Sequence, residues 1–225
     1  MGNIRSRIPY LLEDMRMNYG ITGPLVHVGA HDGEEVPLYR RGGIRENELL
    51  LIEPLPEKAA ALRTKYPKAD VRQCACSNFT GFSRFNVGKK TNQSSLNHHP
   101  DDNIVGNITV KVEKLNNVVT NDARIAVIDA QGHELEVMQY LPDSVELMIV
   151  ETAPVVDVSM ASKYDDVVSY AQSIGFFIYD EWTRNYSWLY EWCRGKSIKG
   201  VPGNVIDVIF LKDADDERAL SQSNL

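Results

Sequence analysis

Cysteine is scarce in this chain: Cys74, Cys76 and Cys193 are the only three among 225 residues. So few, and an odd number, exclude a disulfide scaffold and a four-cysteine zinc site, and the expected compartment is the reducing cytoplasm. No run approaches the roughly 18 to 20 apolar residues that cross a bilayer as a helix. The opening MGNIRSR lacks the apolar core of a secretion signal. Gly2 followed by Ser6 fits the loose myristoylation pattern, which matters only where a eukaryotic transferase meets the chain. Basic residues are outnumbered, 24 Lys and Arg against 31 Asp and Glu for a formal charge of −7. That balance disfavours a broad cationic face for nucleic acid. What is present, 43% hydrophobic and 24% charged residues, is the composition of a globular domain, at a length that suits one large core.

The apolar residues are arranged in short, nearly continuous runs. PLVHVG and LLLIE have the pattern of parallel strands covered on both faces. Residues 34–41 between them form a helix with Pro37 tolerated in its first turn. PEKAAALRTKY has Pro at its start, strong helix formers and Pro67 just beyond its end. ADVRQCAC then gives a third strand. Residues 7–19 form a helix before the first strand, with Ile8, Leu11, Leu12 and Met15 on one side. After an irregular polar stretch the pattern resumes: RIAVIDA, helix HELEVMQYL, VELMIVET, helix KYDDVVSYAQSIG, FFIYDEW and NVIDVIFLK. The expected fold is an open, doubly wound α/β sheet whose final strand runs antiparallel. An N-terminal helical extension covers residues 1–24 and the main domain residues 25–212. A surface excursion occupies about residues 77–107, and a polar, disordered tail residues 213–225.

Ligands of such sheets bind at the carboxyl ends of the strands, and two constellations fall there. In VGAHDG, Gly29 permits a sharp turn, Ala30 is small, and Gly33 lets the backbone pass close to a ligand. Asp32 belongs either to that loop or to the cap of the next helix. Gly29 and Gly33 have no glycine between them, so this is not the GxGxxG of dinucleotide enzymes. Glu53 closes the second strand, where a carboxylate accepts hydrogen bonds from both hydroxyls of a ribose and repels a phosphate. Small residues at the third strand end, Ala75, Cys76 and Ser77, either leave room for a flat adenine edge or fill the core.

The second constellation is IDAQGHELEV. Asp129 closes the fourth strand and Gly132 turns the chain. His133 and Glu134 open the following helix, where an acid is also favoured by the helix dipole. With Glu151 at the end of the fifth strand these groups suit proton transfer from a hydroxyl, or a hard divalent metal that spacing alone does not establish. His98 and His99 sit in the polar excursion, as do Asn92, Ser94 and Ser95, residues that also suit a cover over a ligand. YDEWTRNYSWLYEW offers Tyr186, Trp188 and Trp192 to a substrate wall, to core packing or to a homodimer interface. Arg184, Arg194, Lys196 and Lys199 make the neighbourhood locally basic.

Taken in order, LVHVGAHDG, LLIEPLPE, IDAQGHELEVMQYL and MIVE, with a looser echo in NQSSL, resemble the FkbM family of S-adenosylmethionine-dependent methyltransferases from about Leu25 to Leu211. The resemblance implies a class I, Rossmann-like methyltransferase sheet of seven strands, the last antiparallel. It also implies S-adenosylmethionine as cofactor and O-methylation of a sugar, glycan or natural-product intermediate. It assigns Gly29, Ala30, Asp32 and Gly33 to the cofactor loop, Glu53 to the ribose, and Asp129, Gly132 and Glu134 to the region of the methyl group and acceptor. Three positions depart from the family pattern: His27 where an acid is frequent, Val127 where lysine is common, and Gln131 in place of a glutamate. The alternatives are an NAD-dependent oxidoreductase, disfavoured by the glycine spacing, and a non-catalytic module that keeps the fold.

Overall fold

A computed structural model of the chain describes residues 4–97, 104–119, 122–153, 162–185 and 204–213. Gly2, His98, His99, Tyr186, Trp188, Trp192, Cys193, Arg194, Lys196, Lys199 and the tail from residue 214 lie outside the described residues.

The chain opens with α1 (Ile8–Asp14), which continues as a π-helical turn over Met15–Tyr19. Next come β1 (Leu25–Val28), α2 (Val36–Arg41), β2 (Leu49–Ile52), α3 (Pro56–Lys65) and β3 (Asp70–Arg72). Three strands of a second sheet follow: β4 (Ala75–Cys76), β5 (Gly81–Gly88) and β6 (Ile104–Glu113). The main fold resumes with α4 (Leu115–Val118), β7 (Ile125–Ile128), α5 (Glu134–Met138), β8 (Leu147–Ala153), the two-residue β9 (Ser162–Lys163), α6 (Tyr164–Ser173), β10 (Phe176–Asn185) and β11 (Asn204–Lys212).

The main sheet runs in the order β3-β2-β1-β7-β8-β11-β10, with β9 beside the end of β8. Neighbours from β3 to β8 are parallel, and β11 is antiparallel to both β8 and β10. This is the expected class I sheet with an antiparallel last strand. Side chains alternate across it. Leu25, Leu49, Leu51, Ile125 and Leu147 pack beneath α1, α2 and α3. Val26, Leu50, Ala126, Ile128 and Met148 pack against α4, α5 and α6. Covering both faces is why β2 and β7 are apolar at every position and β1 at every position but His27.

One expectation is corrected: ADVRQCAC is not one strand. Pairing of β3 with β2 ends at Ile52 and Arg72, closed by Glu53 N–H donating to the Arg72 carbonyl at 3.0 Å. The chain then leaves the sheet edge, and Ala75 and Cys76 pair with Val112 and Glu113 of β6. The stretch expected as a surface excursion carries β5 and leads into β6. Its β5 pairs antiparallel with β6, and Phe85, Val110 and Val112 form a third small core with Leu55 and Ala75. No helix among the described residues is long and apolar enough to cross a membrane.

Leu51, 0% exposed in the middle of β2, and Phe82, 75% exposed on β5, test this division of surface and core. Leu51→Ala is expected to lower unfolding stability by about 2–5 kcal/mol through lost burial and a residual cavity. Phe82→Ser is expected to stay within about 0.5 kcal/mol of the parent. Urea denaturation measures both.

Candidate functional site

The parallel pairing of β2, β1 and β7 brings three strand ends to one edge, and backbone hydrogen bonds tie them together. The N–H groups of Gly29 and Ala30 both donate to the Ile52 carbonyl at 3.0 Å, and Asp129 N–H donates to the Val28 carbonyl at 3.0 Å. Gly29 has φ +83, and a Cβ on it would lie 1.9 Å from the Asp129 carbonyl oxygen. Only glycine lets the two loops cross so closely.

Beyond that turn, His31 takes φ 43 and its N–H donates to Glu53 Oε2 at 2.8 Å. Leu55 N–H donates to Glu53 Oε1 at 2.8 Å. Glu53 is 3% exposed, and burial pushes its pKa up to about 7 against these two donors and the nearby Lys58. Asp32 does not cap α2. Both its carboxylate oxygens accept from Lys58 Nζ at 2.8 Å, which holds its pKa below the ordinary value. Lys65 Nζ donates to the Asp32 carbonyl at 2.9 Å, so this loop is anchored on α3. Gly33 is bare for a related reason: a Cβ there would meet Tyr66 Cε2 at 2.7 Å and Leu62 Cδ2 at 2.8 Å. The side of Gly33 on which a Cβ would stand is therefore filled by Leu62 of α3 and by Tyr66 just beyond its end.

The loop after β7 turns through two left-handed residues, Gln131 at φ 50 and Gly132 at φ 98. Its centre is Glu134, which is fully buried. One carboxylate oxygen accepts from the N–H groups of Ala130 and Gly132 at 2.9 and 3.0 Å. The other accepts from Gly132 N–H at 3.1 Å and from the N–H and hydroxyl of Ser162 at 2.7 and 2.9 Å. Burial pushes its pKa up to about 7 despite these donors. With its hydrogen bonds made to its own loop and to Ser162, Glu134 organises the loop.

Asp129 points the other way. Gln131 Nε2 donates to its Oδ1 at 2.5 Å, and the aspartate lines a small cleft together with His27, Glu35, Glu151, Trp182 and Asp207. Glu151 and Asp207 face each other across β8 and β11, and Trp182 pairs with Asp207 across β10. The four proposed catalytic residues therefore divide: Asp129 and Glu151 share the cleft, whereas His133 lies apart from its lining. His133 Nδ1 is 3.1 Å from Ser77 Oγ, and burial lowers the imidazole pKa. Ala75 and Cys76 are buried in two separate clusters, and Ser77 meets His133 of the second loop. Among the described residues no three His, Cys, Asp or Glu side chains are gathered to hold a metal ion.

Sequence reasoning missed Glu35, Asp207, Trp182 and Lys58. Asp207 had a signal, an acid inside the apolar run VIDVIF. Lys58 had none, because its partner Asp32 lies 26 residues earlier.

Residues 27–177 match the family model described as the methyltransferase FkbM domain. No curated protein matches the chain in sequence. Among solved structures the fold is similar to methyltransferase FkbM from Methylobacillus flagellatus KT, with TM-score 0.51 and 12% identity over 88% of this chain and 47% of that one. It is similar to a putative RNA methyltransferase from Pyrococcus horikoshii, with TM-score 0.52 and 10% identity over 92% and 83%. A third likeness is to plantazolicin methyltransferase BamL, solved with a triazolic desmethylPZN analog and SAH, at TM-score 0.52 and 9% identity over 93% and 84%. The chain spans about half of the Methylobacillus protein, and identities this low establish the fold alone.

The crossing of the two loops gives a direct test. Gly29→Ala adds a methyl group against the Asp129 carbonyl at a left-handed backbone position, and is expected to cost about 2–5 kcal/mol of stability. A denaturation midpoint equal to that of the parent would show that the contact is not as tight as described.

Proposed function

The chain belongs to the methyltransferase FkbM domain family, whose chemistry is S-adenosylmethionine-dependent methyl transfer, and on that premise we propose that it methylates a hydroxyl oxygen of a sugar, glycan or natural-product intermediate. The observation that carries the cofactor reading is Glu53. Each of its oxygens takes one backbone N–H, leaving acceptor capacity for a pair of hydroxyls, and the nearby Lys58 is engaged by the Asp32 carboxylate. That donor set suits a ribose with both hydroxyls unmodified and disfavours a ribose phosphate.

In this reading Gly29, Ala30, Asp32 and Gly33 build the loop beside the cofactor. Glu53 holds the ribose, Ala75, Cys76 and Ser77 border the adenine, and Asp129 stands at the methyl end. S-adenosylmethionine, when bound, supplies a methyl carbon already activated by its sulfonium. The protein's part is to align an acceptor and take its proton. Asp129 would accept the proton that the acceptor hydroxyl must lose on methylation. The Gln131 amide steadies the carboxylate while it does so. Glu151 lies on the same cleft, with Glu35 and Asp207. Such a lining repels an anionic acceptor. His133 and Glu134 serve the loop rather than the acceptor.

Two measurements test this. Asp129→Asn is expected to keep the affinity for S-adenosylhomocysteine and lower turnover by about 10²–10⁴-fold; unchanged turnover would remove the aspartate from the chemistry. By calorimetry, S-adenosylhomocysteine should bind and NAD should not. Because the ribose needs the ionised carboxylate and Glu53 titrates at about 7, the proton must leave for the ligand to bind. Affinity is therefore expected to rise about tenfold from pH 6 to pH 8. Glu53→Gln should bind more weakly and lose that dependence; a dependence that survives the substitution would point to Glu134 instead.

A further inference from the structure

Residues 91–97 bridge the two loops of the site. At one end Thr91 Oγ1 lies 2.8 Å from His31 Nε2, on the loop after β1. At the other, Ser95 Oγ donates to the Gln131 carbonyl at 2.5 Å and Asn97 Nδ2 to the Gly132 carbonyl at 3.0 Å, on the loop after β7. The segment is itself anchored. Ser95 is fully buried and its backbone pairs with Asn86. Its hydroxyl accepts the Asn97 N–H at 3.0 Å, and Asn86 Nδ2 donates to the Asn97 carbonyl at 2.8 Å.

The two carbonyls held by this segment belong to the two left-handed residues of the loop. For Gln131, which has a Cβ, that conformation costs about 1–2 kcal/mol and persists only where neighbours hold it. Ser95 holds the carbonyl of Gln131, and the side-chain amide of the same residue meets Asp129. The strained turn thus converts a hydrogen bond from the excursion into the placement of an amide donor on the cleft aspartate.

We infer that residues 91–97 are a positioning strap, and that Ser95, acting through Gln131, sets the orientation of the Asp129 carboxylate. The inference rests on the reading of Asp129 as the group that meets the acceptor. It also gives Gln131 a purpose. A glutamate there would set two carboxylates side by side, whereas the amide supplies a donor, and the strap fixes where that donor points.

The test compares the parent, Ser95→Ala, Gln131→Ala, the double variant, and Ser95→Ala in an Asp129→Asn background. The readouts are the Asp129 carboxyl carbon resonance, hydrogen exchange of the Gly132 amide, calorimetry with S-adenosylhomocysteine, and transfer of labelled methyl groups to a panel of hydroxyl acceptors. Ser95→Ala and Gln131→Ala are expected to move the Asp129 resonance to the same place. Each should lower kcat about 10- to 100-fold, with KM for the methyl donor changed by less than about twofold. The double variant should be no worse than either single one, and Ser95→Ala should add less than about a twofold loss once Asp129 is Asn. Additive losses, or an Asp129 resonance that responds to Gln131→Ala and not to Ser95→Ala, would overturn the strap. If Asp129→Asn leaves turnover intact, the reading of the aspartate fails, and the resonance comparison still decides the strap. Should Ser95→Ala not fold, Asn97→Ala, at a half-buried position, carries the same comparison with a smaller shift.

Discussion

The passage of Gly29 against the Asp129 carbonyl is the constraint on which the site depends. Two adjacent parallel strands end at the same level, and their loops must diverge from one point with no side chain between them. Once they cross there, the turn after β1 is fixed by the Ile52 carbonyl and the Glu53 carboxylate, and the turn after β7 by Glu134. The acids that complete the site are then distributed around the crossing: Glu53 at the end of β2, Asp129 on the cleft, and Glu134 inward among backbone donors.

These buried acids are not equivalent, and their partners separate them. Glu134 spends both oxygens on donors of its own loop and of Ser162, so it acts as a staple that happens to be a carboxylate. Glu53 takes one N–H on each oxygen and is similarly dry, yet it sits beside the glycine turn with acceptor capacity left. Burial raises both, and the difference lies in geometry rather than titration. Desolvation makes each carboxylate costly to ionise, which places a ligand that brings hydrogen-bond donors among the few things able to offset the cost.

Much of this was legible in sequence because burial on both faces leaves a plain trace: LLLI, IAVI and LMIV are apolar at consecutive positions, and LVHV departs only at His27. Glu53, Asp129 and Glu151 were legible for the same reason, as acids that end such runs. Partner choice was not. Ala75 and Cys76 alternate acceptably with either sheet, and what draws them to β6 lies more than thirty residues onward. The inward turn of Glu134 depends on Ser162, and the grip of Ser95 depends on Gln131; neither contact has a local signature. Asp207 and Glu35 reach the cleft through the sheet order and the turn into α2, which only the assembled fold supplies.

The departures from the family pattern make sense once their places are known. His27 and Val127 are register partners on β1 and β7, both buried beneath the same helices. The resemblance puts an acid and a lysine at those two positions, which would make a buried ion pair. Removing one member of such a pair strands a charge and costs about 3–5 kcal/mol, whereas replacing both with groups that pack is often neutral or stabilising. This chain replaces both. The His27 ring stands edge-on to Tyr39 with Nδ1 3.2 Å from its hydroxyl, and Val127 joins the apolar core beside Ile149. The third departure, Gln131, likewise exchanges a charge for a neutral donor, on Asp129. The three positions thus form a neutral lining beside Asp129, with His27 on Tyr39, Val127 in the core and the Gln131 amide on the aspartate itself.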